Sequence, residues 1–346
     1  MKTYFYLFTY CYSCLFFRPI HAFVSNHNFG IKSSSQLSLK KTNSDANAPP
    51  PQTVNKLASL SKLLRTKSIA PTFALCLSGG WILHPSLGDL FVCKPYIVSI
   101  IDTLLVMSAS MSINDMFDVE VDRINNPNRP LVRGDISMVE AAIVSGSILC
   151  TAEVLSLNYL PPNLQLAVNI AIANILLYTP VIKRIPFLKN ISCAGLISFA
   201  VFFAGLASTP TIIVANNNYQ LFLLTTSTIF LGSMYNELLL DLCDREGDAK
   251  AKIPTVPVLF GNDFTLGLAT SLMLFATAFN CQQLFLLYNA YYSLPIVAIF
   301  SSTFQDVYAI KKDGYSKSAL DMAIRRTNQP LVLFLLYICI LAANTR

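Results

Sequence analysis

The chain has 346 residues, of which 53% are hydrophobic and only 13% are charged, whereas about 25% of the residues of an average soluble domain are charged. So few polar residues cannot cover a soluble globule, so the composition excludes that class and indicates a membrane protein. The formal net charge of +6 does not indicate a nucleic-acid partner, because most of the excess lies in residues 1–52 and the rest of the chain is nearly neutral.

The first 52 residues have the composition of a targeting presequence. Residues 3–17 form an apolar run that is too short to span a membrane, as in a signal peptide, and residues 24–52 are rich in Ser, Asn and Lys, as in a transit peptide. A signal followed by such a segment, with Phe23 at the junction, resembles the two-part plastid presequence of algae with complex plastids. We therefore expect residues 1–52 to direct plastid import and residues 53–346 to form the membrane domain. The alternative is a signal anchor with a disordered tail.

Nine apolar stretches follow, each approaching the roughly 20 residues that a helix needs to cross a hydrocarbon core. They predict an all-α fold, a bundle of about nine transmembrane helices in contact with membrane lipids. The predicted spans are 67–84, 95–113, 137–157, 164–179, 191–208, 219–240, 264–281, 284–302 and 329–343.

Basic residues are concentrated in alternate loops. The stretch before the first span and the loops after the second, fourth, sixth and eighth spans are basic, whereas residues 158–163 and 209–218 carry no charge. By the positive-inside rule, all of the basic loops lie on the interior face of the compartment, which in a plastid is the stromal face. One missed helix would break this alternation, so the pattern supports the number of spans.

The first of two acidic clusters lies at the end of the second predicted span, in the sequence Asn114-Asp115-Met-Phe-Asp118-Val-Glu-Val-Asp122. Because successive helical residues are about 100° apart, Asn114, Asp118 and Asp122 fall within an arc of roughly 80° on one helix face. Asp115 lies near the edge of this arc. The spacing therefore predicts one carboxylate-bearing helix face.

The second acidic cluster lies at the end of the sixth predicted span. Its spacings of four, three and four residues place four acids within an arc of about 60°. These acids are Glu237, Asp241, Asp244 and Asp248. Four spans separate the clusters, so an even number of crossings returns both to the same face and permits a shared pocket.

Stacked carboxylates repel one another and are costly beside lipid, and folding does not require them. A hard divalent cation relieves this repulsion, and a donor set made only of oxygen favours Mg²⁺ over zinc or copper. Since Mg²⁺ typically completes its coordination with water and phosphate groups, we expect a diphosphate bridged by metal between the two helices. The alternative for a single cluster is a solvated helix end whose acids pair with Arg123 or Arg245. Two clusters at matching depth favour the metal site.

Cations are expected to complete such a site by binding phosphate oxygens. Arg129 lies between two prolines that stiffen its loop, Lys183 follows the proline that ends the fourth span, and Arg65 precedes the first span on the same face. We assign three further cations of this face to ordinary membrane anchoring: Lys189, Arg325 and Arg326.

The two clusters resemble the signatures of the UbiA superfamily of intramembrane prenyltransferases. The first signature, NDxxDxxxD, is matched from Asn114 to Asp122, and the second, DxxDxxxD with an EGD ending, is matched from Asp241 to Asp248. The Asn-Arg-Pro-Leu after the first motif and residues 253–261 are also similar to the family. The resemblance covers roughly residues 60 to 343.

The chain departs from the family pattern at two places. The element Tyr-x-x-x-Lys appears here with one extra residue, from Tyr178 to Lys183, and the Arg-Pro pair of the first helix is absent, which leaves Arg65 as the candidate counterpart.

The resemblance implies a UbiA-type bundle of nine helices that uses Mg²⁺ to transfer a geranylgeranyl- or phytyl-class prenyl group from an isoprenoid diphosphate to a lipophilic acceptor. The implied metal ligands are Asn114, Asp118, Asp122, Asp241, Asp244 and Asp248. The implied catalytic residues are Asp118, Asp122, Asp244, Asp248 and Lys183. The implied diphosphate ligands are Arg129, Lys183 and Arg65, and Tyr178 and Asp115 are assigned to the acceptor side.

The acceptor cannot be chosen from the residues alone. A plastid setting suggests homogentisate, chlorophyllide, a naphthoate or a prenylglycerol phosphate. The first motif with its Arg-Pro-Leu continuation is most similar to the chlorophyll-synthase and prenylglycerol-phosphate branches.

Three other functions stay open. An intramembrane terpene cyclase uses the same ionisation without an acceptor, and a non-catalytic assembly subunit would tolerate loss of Asp118 and Asp244. A cation transporter also carries acidic residues, but transporter sites typically lie near the bilayer midplane, whereas these clusters lie at its edge. The acids inside the predicted spans are Asp102 and Glu153, which we expect to pair with polar neighbours in the bundle.

Overall fold

The computed structural model describes residues 55–209, 217–250 and 252–344, which form helices and no strand. The presequence predicted for residues 1–52 lies outside the described residues. The helices are α1 (Lys56–Leu63), α2 (Ile69–Leu83), α3 (Leu87–Val92), α4 (Lys94–Phe117), α5 (Val119–Asn125), α6 (Pro130–Arg133), α7 (Met138–Tyr159), α8 (Pro162–Tyr178), α9 (Leu188–Ser208), α10 (Asn217–Lys250), α11 (Val256–Phe260), α12 (Asn262–Leu287), α13 (Leu294–Lys312), α14 (Lys317–Arg326) and α15 (Asn328–Asn344).

Nine of these helices have 15 or more residues in the part of the chain that the structure describes, and together they overlap all nine predicted spans. Six segments are both long enough and apolar enough to cross a membrane, and α8 is a shorter apolar helix of 17 residues. The fold class is therefore confirmed as an all-α membrane bundle.

The eighth predicted span, residues 284–302, has the wrong boundaries. Helix α12 continues to Leu287 and α13 begins only at Leu294. Hydropathy stays high through this region and does not detect the break at Asn289, whose side chain accepts a hydrogen bond from the Tyr291 backbone N–H. A short 3₁₀ turn follows, and Pro295 then starts α13 in the first helical turn, where proline is tolerated.

Helix α4 packs along α7 with a fixed register. The Ser145 hydroxyl donates to the Ser112 hydroxyl at 2.7 Å, and both side chains are fully buried. The two helices run antiparallel, so this bond brings Asp102 level with the segment of α7 that contains Glu153 and Ser156.

Helices α2 and α9 touch through their backbones. A Cβ atom at Gly79 would lie 2.1 Å from the Val201 carbonyl oxygen and 3.2 Å from the Gly205 backbone nitrogen, so only glycine fits there. Small residues allow such approaches between membrane helices. The contact fixes α2 beside α9, and α10 packs against both helices.

Candidate active site

The first acidic cluster spans a break between two helices. Helix α4 ends at Phe117 and α5 begins at Val119, with Asp118 between them. The prediction of one continuous helix face across this segment is therefore wrong in detail. The Asp118 N–H still donates to the Asn114 carbonyl at 3.0 Å, and the Asp122 N–H donates to the Asp118 carbonyl at 2.8 Å. The turn-by-turn spacing is thus kept across the break, and the carboxylates stay on one side.

Two arginines neutralise the deeper acids of this cluster. The Arg129 guanidinium contacts Asp115 and lies 2.8 Å from a carboxylate oxygen of Asp122. Arg65 lies 3.3 Å from Asp115. Burial raises the pKa of the Asp122 carboxyl, and the positive charge of Arg129 opposes that rise. The loop that contains Arg129 and Pro130 thus folds back, so that the Arg129 guanidinium contacts the acidic cluster that precedes it in the chain.

Lys183 closes the other side of the first cluster. Its ammonium nitrogen lies 2.6 Å from each carboxylate oxygen of Asp118. The residue sits in a 3₁₀ turn that follows α8, and the preceding Thr179 hydroxyl lies 3.4 Å from the Asn114 amide oxygen. The extra residue between Tyr178 and Lys183 is taken up by this turn, so both side chains reach the site.

The second cluster lies on one unbroken helix, α10, which runs from Asn217 to Lys250. Asp241 and Asp248 are buried, whereas Asp244 is solvent-exposed. Lys189 forms an ion pair with Asp241, and the Asn190 amide donates to the same carboxylate at 2.9 Å. The cluster is thus held by the first turn of α9.

Lys189 was assigned above to membrane anchoring, and that assignment is wrong. Only 16% of its side chain is exposed, and its ammonium group pairs with the buried carboxylate of Asp241. The backbone of Phe187, at a φ of 63°, turns the chain so that α9 starts inside the bundle. Burying a lysine at the start of an apolar helix costs free energy unless an acid pairs with it. The position of Lys189 in the sequence could therefore have indicated an acidic partner.

The two clusters come together around shared cations. Helix α5 contacts α10, and the charges of Lys183 and Lys189 both act on Asp244. Lys317, from the start of α14, also acts on Asp244 and was not predicted from the sequence. Exposed Arg325 and Arg326 lie further along α14, and Arg326 pairs with Asp306 at 3.1 Å. These last two arginines are consistent with an anchoring role.

The carboxylates fit a Mg²⁺ site that substrate helps to build. Within the described residues, no three acidic, cysteine or histidine side chains converge on one point. One buried carboxylate oxygen of Asp248, Oδ2, has no hydrogen-bond partner there. Mg²⁺ is usually held by one or two carboxylates and by substrate phosphates rather than by a cage of protein ligands. The all-oxygen donor set on two facing helices suits that arrangement.

A cavity of about 610 Å³ extends from the clusters into the bundle. Arg65, Asn114 and Glu237 line its charged end, and the rest of its wall is mainly apolar. Tyr178 also lies at the charged end, where its hydroxyl accepts a contact from the Cys193 thiol at 3.1 Å. The volume falls within the roughly 300–1,000 Å³ typical of small-molecule sites. The cavity therefore suits a ligand with a polar head and an apolar tail.

A second, basic pocket of about 450 Å³ opens beside the first cluster. It is lined by Lys62, Arg65 and Arg129, together with Asp115 and the loop from Asn126 to Pro130. Three cations and one carboxylate give this pocket a net positive charge, which favours an anionic group.

Residues 70–328 match the UbiA prenyltransferase family. The chain belongs to this family. Prenyl transfer is therefore its class of reaction.

This UbiA family member is 26% identical, over 243 residues, to the digeranylgeranylglyceryl phosphate synthase of Methanococcus vannielii, and the match covers 70% of this chain and 82% of that protein. Its fold is similar to a solved structure from work on digeranylgeranylglyceryl phosphate synthase in membranes, with a TM-score of 0.63, 22% identity, and coverage of 83% of this chain and 98% of the other. It is also similar to a UbiA homolog from Archaeoglobus fulgidus bound to DMAPP and Mg²⁺, with a TM-score of 0.62, 20% identity, and coverage of 83% and 99%.

Proposed function

We propose that this chain uses Mg²⁺ to transfer a geranylgeranyl-class prenyl group from its diphosphate to a lipophilic acceptor that carries a phosphate. The observation that carries the proposal is that both acidic clusters reach one apolar cavity, since Asn114 of the first cluster and Glu237 of the second line its charged end. Neither motif alone requires a ligand, since charged helix ends are common. Two motifs that converge on an apolar cavity match a diphosphate head and a prenyl tail.

The metal ligands are drawn from both motifs. They are Asn114, Asp118, Asp122, Asp241, Asp244 and Asp248, with Asp118, Asp122, Asp244 and Asp248 as the catalytic carboxylates. Bound Mg²⁺ neutralises the diphosphate as the bond between prenyl carbon and oxygen breaks. The unpartnered oxygen of Asp248 and the exposed carboxylate of Asp244 are the oxygens most available for this role.

The cations of the site bind the departing diphosphate. Lys183 and Arg129 already lie among the metal-binding carboxylates, where each can stabilise the charge that develops on the leaving oxygens. The same reasoning adds Lys189, because it is buried beside Asp241. These groups are held in place before substrate binds, so little reorganisation is needed during the reaction.

The cavity receives the prenyl chain and protects the allylic carbocation. Its apolar wall excludes water, which would otherwise capture the cation and release the free alcohol. Tyr178 and Asn114 line the charged end, where the proposal places the carbon that reacts. The hydroxyl oxygen of the acceptor then forms the new bond to the prenyl carbon, and its proton passes to the released diphosphate.

The basic pocket supports an acceptor with a phosphate group, such as a prenylglycerol phosphate. Arg65 lies between this pocket and the cavity and lines both. Asp115 pairs with Arg65 and Arg129 and thereby holds the two guanidinium groups at the pocket. The archaeal relative named as a digeranylgeranylglyceryl phosphate synthase supports the same acceptor class. Homogentisate, chlorophyllide and the naphthoates carry no phosphate group, so a pocket with three cations is less expected for these acceptors.

The test is transfer of a labelled geranylgeranyl or phytyl group in membranes that contain the expressed chain. The assay supplies Mg²⁺ and, in parallel, geranylgeranylglyceryl phosphate, homogentisate, chlorophyllide and a naphthoate. We expect Mg²⁺-dependent product with the phosphate-bearing acceptor. Diphosphate release with no product from any acceptor would instead favour a terpene cyclase, and no diphosphate release at all would exclude the enzyme.

A double variant, Asp118→Ala with Asp244→Ala, tests the assignment of the site in the same assay, and Glu246→Ala is its matched control. We expect a loss of activity of at least about 10³-fold, close to that of either single variant, because the groups act as a unit. Glu246→Ala, on the exposed side of the same helix, keeps the wild-type rate. Full activity in the double variant would point to an assembly subunit or a transporter.

We also propose that residues 1–52 form a two-part plastid presequence and that the active site faces the stroma. The support is the composition of those residues and the basic loops of the membrane domain. The archaeal relatives give no support for or against this subcellular location. A fluorescent protein fused to residues 1–52 is expected to enter plastids of an alga with complex plastids, and retention in the secretory pathway would contradict the proposal.

A further inference from the structure

The apolar cavity ends at the same depth on three helices. Counted from the charged end, its lining residues extend for ten to twelve residues along each helix. At a rise of 1.5 Å per residue this corresponds to about 15–18 Å. The end points are Asn114 and Asp102 on α4, Thr179 and Val168 on α8, and Cys193 and Phe203 on α9.

A fourth helix closes the cavity at a similar level. Helix α2 lines the cavity as far as Leu75. One turn further, at Gly79, its backbone is in contact with the Val201 carbonyl of α9. No space for a chain is left between α2 and α9 beyond that point, so the cavity has a floor rather than an open end there.

Asp102 forms the polar part of this floor. Asp102 is one of the residues that line the cavity, only 1% of the residue is exposed, and neither carboxyl oxygen has a hydrogen-bond partner among the described residues. The expectation that Asp102 pairs with a polar neighbour was therefore wrong. The adjacent Thr103 hydroxyl donates to the Ser99 carbonyl at 2.7 Å and is not available to Asp102.

Further polar groups lie behind the floor. Glu153 is buried on α7, in the segment that lies level with Asp102. One Glu153 oxygen accepts a hydrogen bond from Asn169 at 3.4 Å, whereas its other oxygen and the Ser156 hydroxyl have no partner in the described chain. An apolar chain that passed Asp102 would thus be pressed against unpartnered carboxyl groups, which is unfavourable.

The depth of the cavity corresponds to a definite chain length. Three trans single bonds span about 3.8 Å, so an isoprene unit with four backbone bonds extends about 5 Å. A cavity of about 15–18 Å therefore holds three to four isoprene units. The fourth unit of an extended geranylgeranyl chain covers about 15 to 20 Å and therefore reaches the level of Asp102, at about 18 Å.

We propose that Asp102 is a specificity-determining residue that limits the prenyl substrate to four isoprene units. This inference rests on the proposed prenyl transfer. Asp102 lies about 18 Å from Asn114 along α4, so it contacts the far end of the chain and takes no part in the ionisation. A five-unit chain that follows the axis of the cavity buries apolar carbons against the carboxyl group.

The test compares prenyl diphosphates of two, three, four and five isoprene units with the purified full-length protein in liposomes, Mg²⁺ and the phosphate-bearing acceptor. For the wild type we expect kcat/KM to be highest with four units and about tenfold lower with five. In Asp102→Ala the ratio of five-unit to four-unit kcat/KM rises about tenfold. Asp102→Asn keeps the size and polarity of the floor and therefore the wild-type ratio.

A second variant tests the depth scale independently. Ala171 lines the cavity on α8, eight residues from Thr179 and so at a depth of about 12 Å. Ala171→Phe raises the floor, and we expect the preferred substrate to become two units long. Asn280→Ala, a buried change outside this cavity, leaves the chain-length profile as in the wild type.

The outcomes separate the two proposals. An unchanged five-to-four ratio in Asp102→Ala overturns the role of Asp102, and an unchanged profile in Ala171→Phe overturns the assignment of the cavity to the prenyl chain. A wild-type protein that transfers no chain of any length overturns the proposed function instead.

Discussion

The Lys183 ammonium nitrogen lies 2.6 Å from both carboxylate oxygens of Asp118, although the two residues are 65 positions apart in the chain. Only 18% and 13% of the two side chains are exposed. The same ammonium group acts on Asp244 of the second motif. One lysine in the turn after α8 therefore pairs with the first motif and lies near enough to the second for its charge to act there.

Replacing this lysine is expected to slow the chemical step. Lys183→Met keeps the length of the side chain and removes its charge, so kcat should fall by about 10²–10³ because one stabilising charge is lost from the departing diphosphate. Lys183→Arg should recover part of this rate. Steady-state assays with Lys311→Met, an exposed lysine at the end of α13, provide the control. A fall of less than about tenfold in Lys183→Met would assign the lysine to folding alone.

Removal of divalent cations is expected to abolish transfer reversibly. Membranes treated with EDTA should release no diphosphate, and added Mg²⁺ should restore the reaction. Ca²⁺ should restore little, because it is larger and prefers more ligands than two carboxylate faces and a diphosphate provide. The measurement is diphosphate release against metal concentration. A rate in EDTA equal to that in Mg²⁺ would rule out the metal site.

The basic pocket makes a separate prediction for the acceptor. Arg65→Ala should raise the KM for a phosphate-bearing acceptor by about tenfold, since a hydrogen bond between charged groups contributes about 1.5–3 kcal/mol. The KM for the prenyl diphosphate should change much less. Lys56→Ala is the control, because Lys56 is 71% exposed and pairs only with Glu140 among the described residues. Equal increases in both KM values would place Arg65 on the diphosphate rather than on the acceptor.

Arg129 is expected to contribute to stability as well as to binding. Arg129→Ala leaves Asp115 and Asp122 buried without this partner, and breaking a buried ion pair typically costs about 3–5 kcal/mol. The thermal unfolding midpoint in detergent should therefore fall clearly. Adding Asp115→Asn removes one uncompensated charge and should restore part of the midpoint.

The control for that measurement is an exposed arginine. Arg326 is 53% exposed and pairs with Asp306, so Arg326→Ala should change the free energy of unfolding by less than about 1 kcal/mol. If Arg129→Ala were as mild as Arg326→Ala, the buried pairs at Asp115 would not be important for stability.

The number and order of the membrane helices could be predicted because each long helix is an apolar segment between polar loops. Hydropathy measures composition in a window and is insensitive to backbone direction. It therefore missed the turn at Asn289, where the break depends on one side chain bonding to the Tyr291 N–H. Helix α13 was placed about ten residues too early for this reason.

The acidic residues of the site could be predicted because their spacing places them on one helix face. Their cationic partners were harder to assign, since a lysine near a membrane surface has the same appearance in sequence as an anchor. Lys189 and Arg326 look alike in the sequence, but the fold buries the Lys189 side chain against Asp241 and leaves the Arg326 side chain mostly exposed. Asp102 shows the reverse difficulty, because a buried acid is expected to have a partner and this one has none among the described residues.

The pairing of acids with cations from the same chain has a consequence for biogenesis. Asp115, Asp118 and Asp241 each receive a guanidinium or ammonium group from a neighbouring segment. The nascent protein can therefore insert and pack these carboxylates before it encounters any metal, unlike zinc fingers, which are unfolded without their ion. We therefore expect its maturation to depend on the local magnesium supply much less than its catalysis does.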